Sequence, residues 1–115
     1  MEKEKIDSYK TIDIPHLRVK IHFMDLSKLK GVPIEGSAYT CIFGEQANGW
    51  IDIAIFYENI EKTLKKIVCM PMIFHEIIHA LQIINDKRSM TFHKEEEHFA
   101  YLTSYIMENL LDLTP

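Results

Sequence analysis

Cysteine is scarce in this chain, whose 115 residues include only Cys41 and Cys69, both among apolar neighbours. One bridge would not make the disulfide framework of a small secreted protein, so we expect both to pack as small hydrophobic side chains. Runs of about 18 consecutive apolar residues, the length of a membrane helix, are also missing. The first five residues carry mixed charge and no apolar segment of signal-peptide length follows them. We therefore expect a cytoplasmic protein with no membrane partner.

An excess of positive charge is missing as well, since 13 Lys and Arg stand against 17 Asp and Glu for a net charge of −4. This balance gives no electrostatic footprint for nucleic acid, and we predict no nucleic-acid partner. Internal repeats and low-complexity blocks are absent too. What remains is an ordinary globular composition, 47% hydrophobic and 26% charged, which predicts one domain over residues 1–115.

The first half of the chain predicts strands. Residues 17–23 and 37–43 are rich in β-formers, and the first of these runs alternates apolar and polar residues. A turn at Asn48-Gly49 then precedes a third strand at 50–57, which we expect to pair antiparallel with the second. Residues 1–15 are charged and are expected to form a loose N-terminal arm.

The second half predicts helices. Asn59 is the expected N-cap of a helix whose apolar positions are Ile60, Leu64, Ile67 and Val68. Pro71 should kink this helix or restart it. The next helix runs to about Asn85, and a final helix over 92–112 should bury Phe99, Leu102, Ile106 and Leu110. Together these patterns predict an α+β fold in which a short antiparallel sheet packs on two principal helices.

The most informative stretch is His75-Glu76-Ile77-Ile78-His79, an H-E-x-x-H sequence inside an apolar, helix-like run. Residues four apart share one face of a helix, so both imidazoles can bind the same metal ion. The carboxylate beside the first histidine can then serve as general base towards a water on that metal. The alternative is a pair of core histidines bonded to backbone or carboxylate groups. Because unsatisfied ionisable groups in an apolar helix cost several kcal/mol, we favour the metal site.

A catalytic zinc site needs three protein ligands and one open position, and H-E-x-x-H supplies two. An antiparallel return from the first helix would bring the start of the final helix beside it. The candidates for the third ligand there are His93, Glu95, Glu96, Glu97 and His98. Spacing alone does not choose among these five.

His75-Glu76-x-x-His79 followed by Glu97-His98-Phe99-Ala100-Tyr101 resembles the gluzincin arrangement of zinc metallopeptidases. The chain looks most like the very small H-E-x-x-H proteins encoded by phages and prophages. It is more distantly similar to the ImmA/IrrE-type metallopeptidase domain. The resemblance covers roughly residues 36–112.

This resemblance implies a zincin-like fold and a zinc-dependent hydrolase that cleaves peptide bonds in a protein or peptide through a zinc-activated water. Zn²⁺ would be held by His75, His79 and Glu97, the last because it stands three residues before the small residue Ala100. Glu76 would be the general base. Tyr101 is the candidate oxyanion stabiliser, and the alternatives are Tyr105, His93 and His98. The strand at 50–57 resembles the zincin edge strand that pairs with an extended peptide.

The chain also departs from related classes. Asn85 stands where metzincins need a third histidine, which excludes that class. Tyr101 stands where thermolysin-like gluzincins place an acidic residue that orients a zinc histidine, so Asp52, Glu58, Glu96 or the backbone must take this role. Two rival interpretations remain. One is a catalytically weak or inactive zincin-like module that binds a host or regulatory protein, and the other is a purely structural helix pair.

Overall fold

The computed structural model describes residues 8–26, 38–89 and 96–112. Within these ranges the strands are β1 (Lys10–Ile14), β2 (Val19–Asp25), β3 (Ala38–Glu45) and β4 (Ile51–Tyr57). The helices are α1 (Ile60–Thr63), α2 (Met70–Arg88) and α3 (Glu96–Leu110), and two 3₁₀ turns lie at Pro15–Leu17 and Ile67–Cys69. The α+β class predicted from the sequence is confirmed.

The four strands form one sheet in the order β1-β2-β4-β3. The β1–β2 and β3–β4 pairs are antiparallel, but β2 and β4 run parallel, with Val19 opposite Ile51. The expected wholly antiparallel sheet is therefore wrong. The reason is that β3 lies at the edge of the sheet, so that β4 pairs with β2 and runs parallel to it. The antiparallel pairing of the second and third predicted strands is confirmed. The strand at 51–57, expected at the edge, lies inside the sheet.

The expected loose arm over residues 1–15 is wrong for its second part. Lys10–Ile14 form β1, which pairs with β2 and buries Ile12 and Ile14 against the core. Thr11 and Asp13 alternate with them on the exposed side. This period-2 pattern is only five residues long and follows a charged segment, which hides it in the sequence. Residues 1–7 lie outside the described part of the chain.

The core lies between one face of the sheet and the helices α2 and α3. The sheet contributes alternate residues of its two inner strands, including Ile21, Phe23, Ile53, Ile55 and Tyr57. Helix α2 contributes Ile73, Ile77, Ala80, Leu81 and Ile84, and helix α3 contributes Phe99, Leu102, Ile106 and Leu110. The four α3 positions predicted from the sequence are thus confirmed. Each buried Ile, Leu or Phe side chain contributes about 1.5–3 kcal/mol of burial free energy, which fixes both helices on the sheet.

The segment between β4 and α2 differs from the expected continuous helix. Helix α1 ends at Thr63, and Lys66 adopts an extended conformation that breaks the helical path. Ile67 and Val68, expected among the apolar positions of that helix, are 87% and 82% exposed. Pro71 lies in the first turn of α2, which confirms that the helix restarts there.

One helical segment among the described residues, Ile67–Arg88, is long and apolar enough to cross a membrane. This is weak evidence, because the core helix of a soluble protein meets the same criterion. Helix α2 packs its apolar face on the sheet.

Candidate metal centre

Helix α2 carries the H-E-x-x-H sequence and is fixed at both ends. Pro71 lies in its first turn, where the N–H that proline lacks would have no partner within the helix. At its end Ser89 takes a left-handed conformation, with φ of 52°, and donates its backbone N–H to the carbonyl of Asn85. Because Ile73, Ile77, Ala80 and Ile84 bury one face, the opposite face of the helix points to solvent.

His75 and His79 lie on that exposed face, one helical turn apart. Their Nε2 atoms are 3.0 Å from each other, and the ring centroids are 4.6 Å apart in an edge-on arrangement. The side chain of His75 is 66% exposed. Two imidazole nitrogens that converge from one helix face form the pair of donors expected from the sequence.

Glu76 takes the inner side of the same turn and is only 7% exposed. Its Oε1 accepts a hydrogen bond of 2.7 Å from the hydroxyl of Thr40 on β3. Its Oε2 lies 3.9 Å from Nε2 of His75. Thr40 therefore fixes one carboxylate oxygen, while the other faces the histidine pair. Hydrogen bonds to a charged group contribute about 1.5–3 kcal/mol, enough to hold this orientation.

Tyr57 on β4 anchors the first turns of α2 beneath the histidines. Its hydroxyl donates a 2.8 Å hydrogen bond to the carbonyl of Ile73. Burial raises the pKa of this phenol, and the negative charge of Glu76 raises it further, so the hydroxyl stays a donor. The bond fixes the position of α2 along β4 and thereby the height of Glu76 over the sheet.

Sequence reasoning did not single out Thr40 or Tyr57. Thr40 is a polar residue at an inward position of β3, between Ala38 and Ile42 in the period-2 pattern. A polar residue at an inward position is the only sequence feature that sets Thr40 apart. It points to a contact with Glu76 only once β3 is known to lie beside α2.

A groove of about 460 Å³ runs beside this centre, between β3 and the exposed side of α2. Its walls are formed by residues of β3 and by the solvent-facing turns of the helix: Ala38, Tyr39, Thr40, Glu76, His79, Gln82, Ile83 and Asp86. Since β3 is an edge of the sheet within the described residues, the groove is bounded on one side by an open strand edge.

The donor atoms of His75, Glu76 and His79 all lie within 4.8 Å of one another. Imidazole nitrogen is a donor that Zn²⁺ prefers, so His75 and His79 fit a zinc ion as two of its ligands, with the carboxylate of Glu76 beside them. In the parts of the chain that the structure describes, the group of side chains that could hold a metal ion consists of these three residues.

Glu97, the predicted third ligand, is exposed in the first turn of α3 and lies outside this group. Arg88 at the end of α2 donates hydrogen bonds to the carbonyls of Leu17 and Arg18, in and just after the 3₁₀ turn that follows β1. His98 on α3 contacts His16 of that 3₁₀ turn. The start of α3 therefore lies near the C-terminal end of α2. His79 is nine residues before Arg88, about 13 Å along the helix. The role of Glu97 stays a prediction.

The other candidates are distributed over the molecule. Tyr101 is 62% exposed and stacks on Tyr105, whose hydroxyl donates to the carbonyl of Asp13 on β1. Glu96 is exposed beside Glu97. His93 and Glu95 lie outside the described residues. The oxyanion role of Tyr101 stays a prediction.

Asp52, considered as a partner for a metal histidine, lies on the opposite face of the sheet. Its Oδ1 is 2.9 Å from Nε2 of His22, and its Oδ2 accepts a 2.8 Å bond from Gln46. Burial favours a raised pKa for Asp52, but the bonds from His22 and Gln46 and the charges of His22 and Lys20 outweigh it and lower the pKa. Glu58, the other carboxylate considered, is exposed after β4.

Comparisons of the chain with protein-family models, with curated proteins and with solved structures find no match.

Proposed function

We propose that this protein is a zinc-dependent metallopeptidase of the gluzincin type, with a zincin-like arrangement of sheet and active-site helix, acting in the cytoplasm. One observation carries the proposal. The Nε2 atoms of His75 and His79 converge to 3.0 Å beside a buried carboxylate, Glu76, whose Oε1 accepts a hydrogen bond from Thr40. A purely structural pair of histidines would not require a buried carboxylate beside it that a residue of another strand holds in position.

In this proposal His75 and His79 hold the ion through their Nε2 atoms. Bound zinc would supply Lewis acidity, which polarises a carbonyl and lowers the pKa of a bound water to about 7. Because both histidines stand on one stiff helix turn, their donor atoms are already placed before any ion arrives. This preorganisation reduces the entropy lost on binding.

Glu76 is the proposed general base. Its Oε1 remains bonded to Thr40, so Oε2, which faces His75, is the oxygen that accepts a proton from the attacking water. The same oxygen then passes this proton to the amine of the cleaved peptide. A fixed carboxylate of this kind contributes about 10²–10⁴-fold to a hydrolysis rate.

The groove beside β3 is the proposed substrate site. An extended peptide that pairs with the open edge of β3 would lie along the groove lined by Thr40, Glu76 and His79. Backbone hydrogen bonds give such binding its strength, whereas side-chain pockets give specificity. The groove is shallow and has few walls. We therefore propose a narrow set of protein substrates, whose own surfaces fit the shape of the protein around the groove.

Metal analysis tests this proposal directly. Zinc per chain is measured after dialysis for wild type, His75→Ala and His79→Ala, with His22→Ala as a matched histidine control on the other sheet face. Both α2 variants should lose one zinc equivalent, and zinc should raise their melting temperature less than it raises that of the wild type. Full retention of metal by both α2 variants would contradict the proposal.

A second function has support in the position of Glu97 outside the donor group. It is a zincin-like module, weakly active or inactive, that uses the β3 groove to bind a host or regulatory protein. The two functions differ in the effect of Glu76→Gln. A peptidase loses its biological effect with this substitution, whereas a binding module keeps it.

A further inference from the structure

A second pair of histidines meets at the opposite end of α2 from His75. His16 lies in the 3₁₀ turn after β1, and His98 lies near the start of α3. Their Nε2 atoms are 3.1 Å apart, and the ring centroids are 5.1 Å apart at an interplanar angle of 45°. The two residues are 82 positions apart in the sequence, so the fold alone brings them together.

The facing nitrogens permit two arrangements. Without a metal, one imidazole must carry its proton on Nε2 and donate it to the other. With a metal, both lone pairs point at one cation. Tetrahedral Zn²⁺ with Zn–N bonds of about 2.05 Å separates two nitrogens by about 3.3 Å. Ligands at right angles, as in tetragonal Cu²⁺ or Ni²⁺ sites, are separated by about 2.9 Å. The observed 3.1 Å lies between these values and is close to the 3.0 Å of the α2 pair.

We propose that His16 and His98 form a second metal site, which binds an imidazole-preferring divalent transition-metal ion and links the turn after β1 to α3. This site is separate from the H-E-x-x-H centre and does not depend on the proposed peptidase function.

Both ligands stand on fixed backbone. The turn at His16 begins with Pro15, whose carbonyl accepts the N–H of Arg18 at 3.1 Å. Arg88 holds the same turn through its bond to the carbonyl of Leu17 at 2.7 Å. His98 precedes Phe99, which is buried in the core and fixes that turn of α3. A cation therefore binds two donors that need little reordering.

The surroundings leave room for the rest of a coordination shell. A groove of about 190 Å³ adjoins His16 between β1 and α3, and Asp13 lines it together with Tyr101 and Tyr105. Water can enter this groove and supply the ligands that His16 and His98 leave open. The positive end of the α3 dipole opposes a cation, but Glu96 and Glu97 in that first turn offset it.

Metal titration of the full chain tests the site. In the background His75→Ala/His79→Ala, isothermal titration calorimetry with Zn²⁺, and separately with Ni²⁺, should show one remaining ion. Adding His16→Ala or His98→Ala should abolish this binding, whereas adding His22→Ala should not. The same metals should raise the melting temperature only where His16 and His98 are both present.

A second measurement keeps the test independent of that background. In the otherwise wild-type chain, His16→Ala and His98→Ala should each lower the bound metal by one equivalent and leave the α2 equivalent intact. Unchanged stoichiometry in both variants would overturn the second site, whatever the α2 pair does. Loss of metal only with His75→Ala and His79→Ala would likewise overturn it while leaving the H-E-x-x-H centre in place.

Discussion

The bond from Thr40 to Glu76 offers the sharpest test of the α2 centre. In Thr40→Val the side chain keeps its shape but no longer donates to Oε1 of a carboxylate that is 7% exposed. A lost hydrogen bond to a buried charged group costs about 1.5–3 kcal/mol. At about 4 °C per kcal/mol for a small domain, the melting temperature should fall by about 6–12 °C.

Thr40→Ser is the matched control, because it keeps the hydroxyl and removes only a methyl group. That methyl contributes at most about 0.8 kcal/mol, and less here because Thr40 is half-buried. Urea unfolding is followed by the fluorescence of the single tryptophan, Trp50, and by circular dichroism. Hydrolysis is measured on the same samples and should fall in Thr40→Val at unchanged zinc content. Equal free energies of unfolding for the two variants would refute the role given to this hydrogen bond.

Three further outcomes follow from the same geometry. Glu76→Gln should keep zinc and fold but reduce hydrolysis by about 10²–10⁴-fold, whereas Glu61→Gln, an exposed control, should not change it. If the start of α3 moves towards His79 when zinc binds, Glu97→Ala should weaken zinc affinity more than Glu96→Ala does; the reverse order in zinc titrations would reject Glu97 as ligand. Asp52 has a lowered pKa, so its stabilisation is present above about pH 4 and is lost as the pH falls through its folded-state value. Asp52→Asn should therefore flatten the acid limb of the stability curve measured by urea unfolding, and an unchanged limb would contradict this reading of Asp52.

Local patterns predicted the parts of this protein that depend on neighbours in the chain. The i, i+4 spacing of His75 and His79 needs only a helix to bring two nitrogens together, and α2 does so at 3.0 Å. The 3.6-residue period of α3 likewise predicted its buried positions. These features were predictable because one regular element contains all of their geometry.

The errors have different causes, and the first is pairing between distant segments. The parallel contact of β2 with β4 joins strands separated by β3, and no local period encodes it. The short β1 strand follows a charged segment, so its two buried isoleucines gave too weak a signal. Ile67 and Val68 fit a helical period, but Lys66 breaks the helix before they reach the core.

The sequence by itself thus determined the α+β class, the H-E-x-x-H helix and the identity of its two histidines and its acid. Only the tertiary structure decided what surrounds them. It set Thr40 against Glu76, left Glu97 outside the donor group and joined His16 to His98 across 82 residues. The reason is physical: a helix repeats every 3.6 residues and reveals its own face, whereas contacts between elements depend on how the whole core packs.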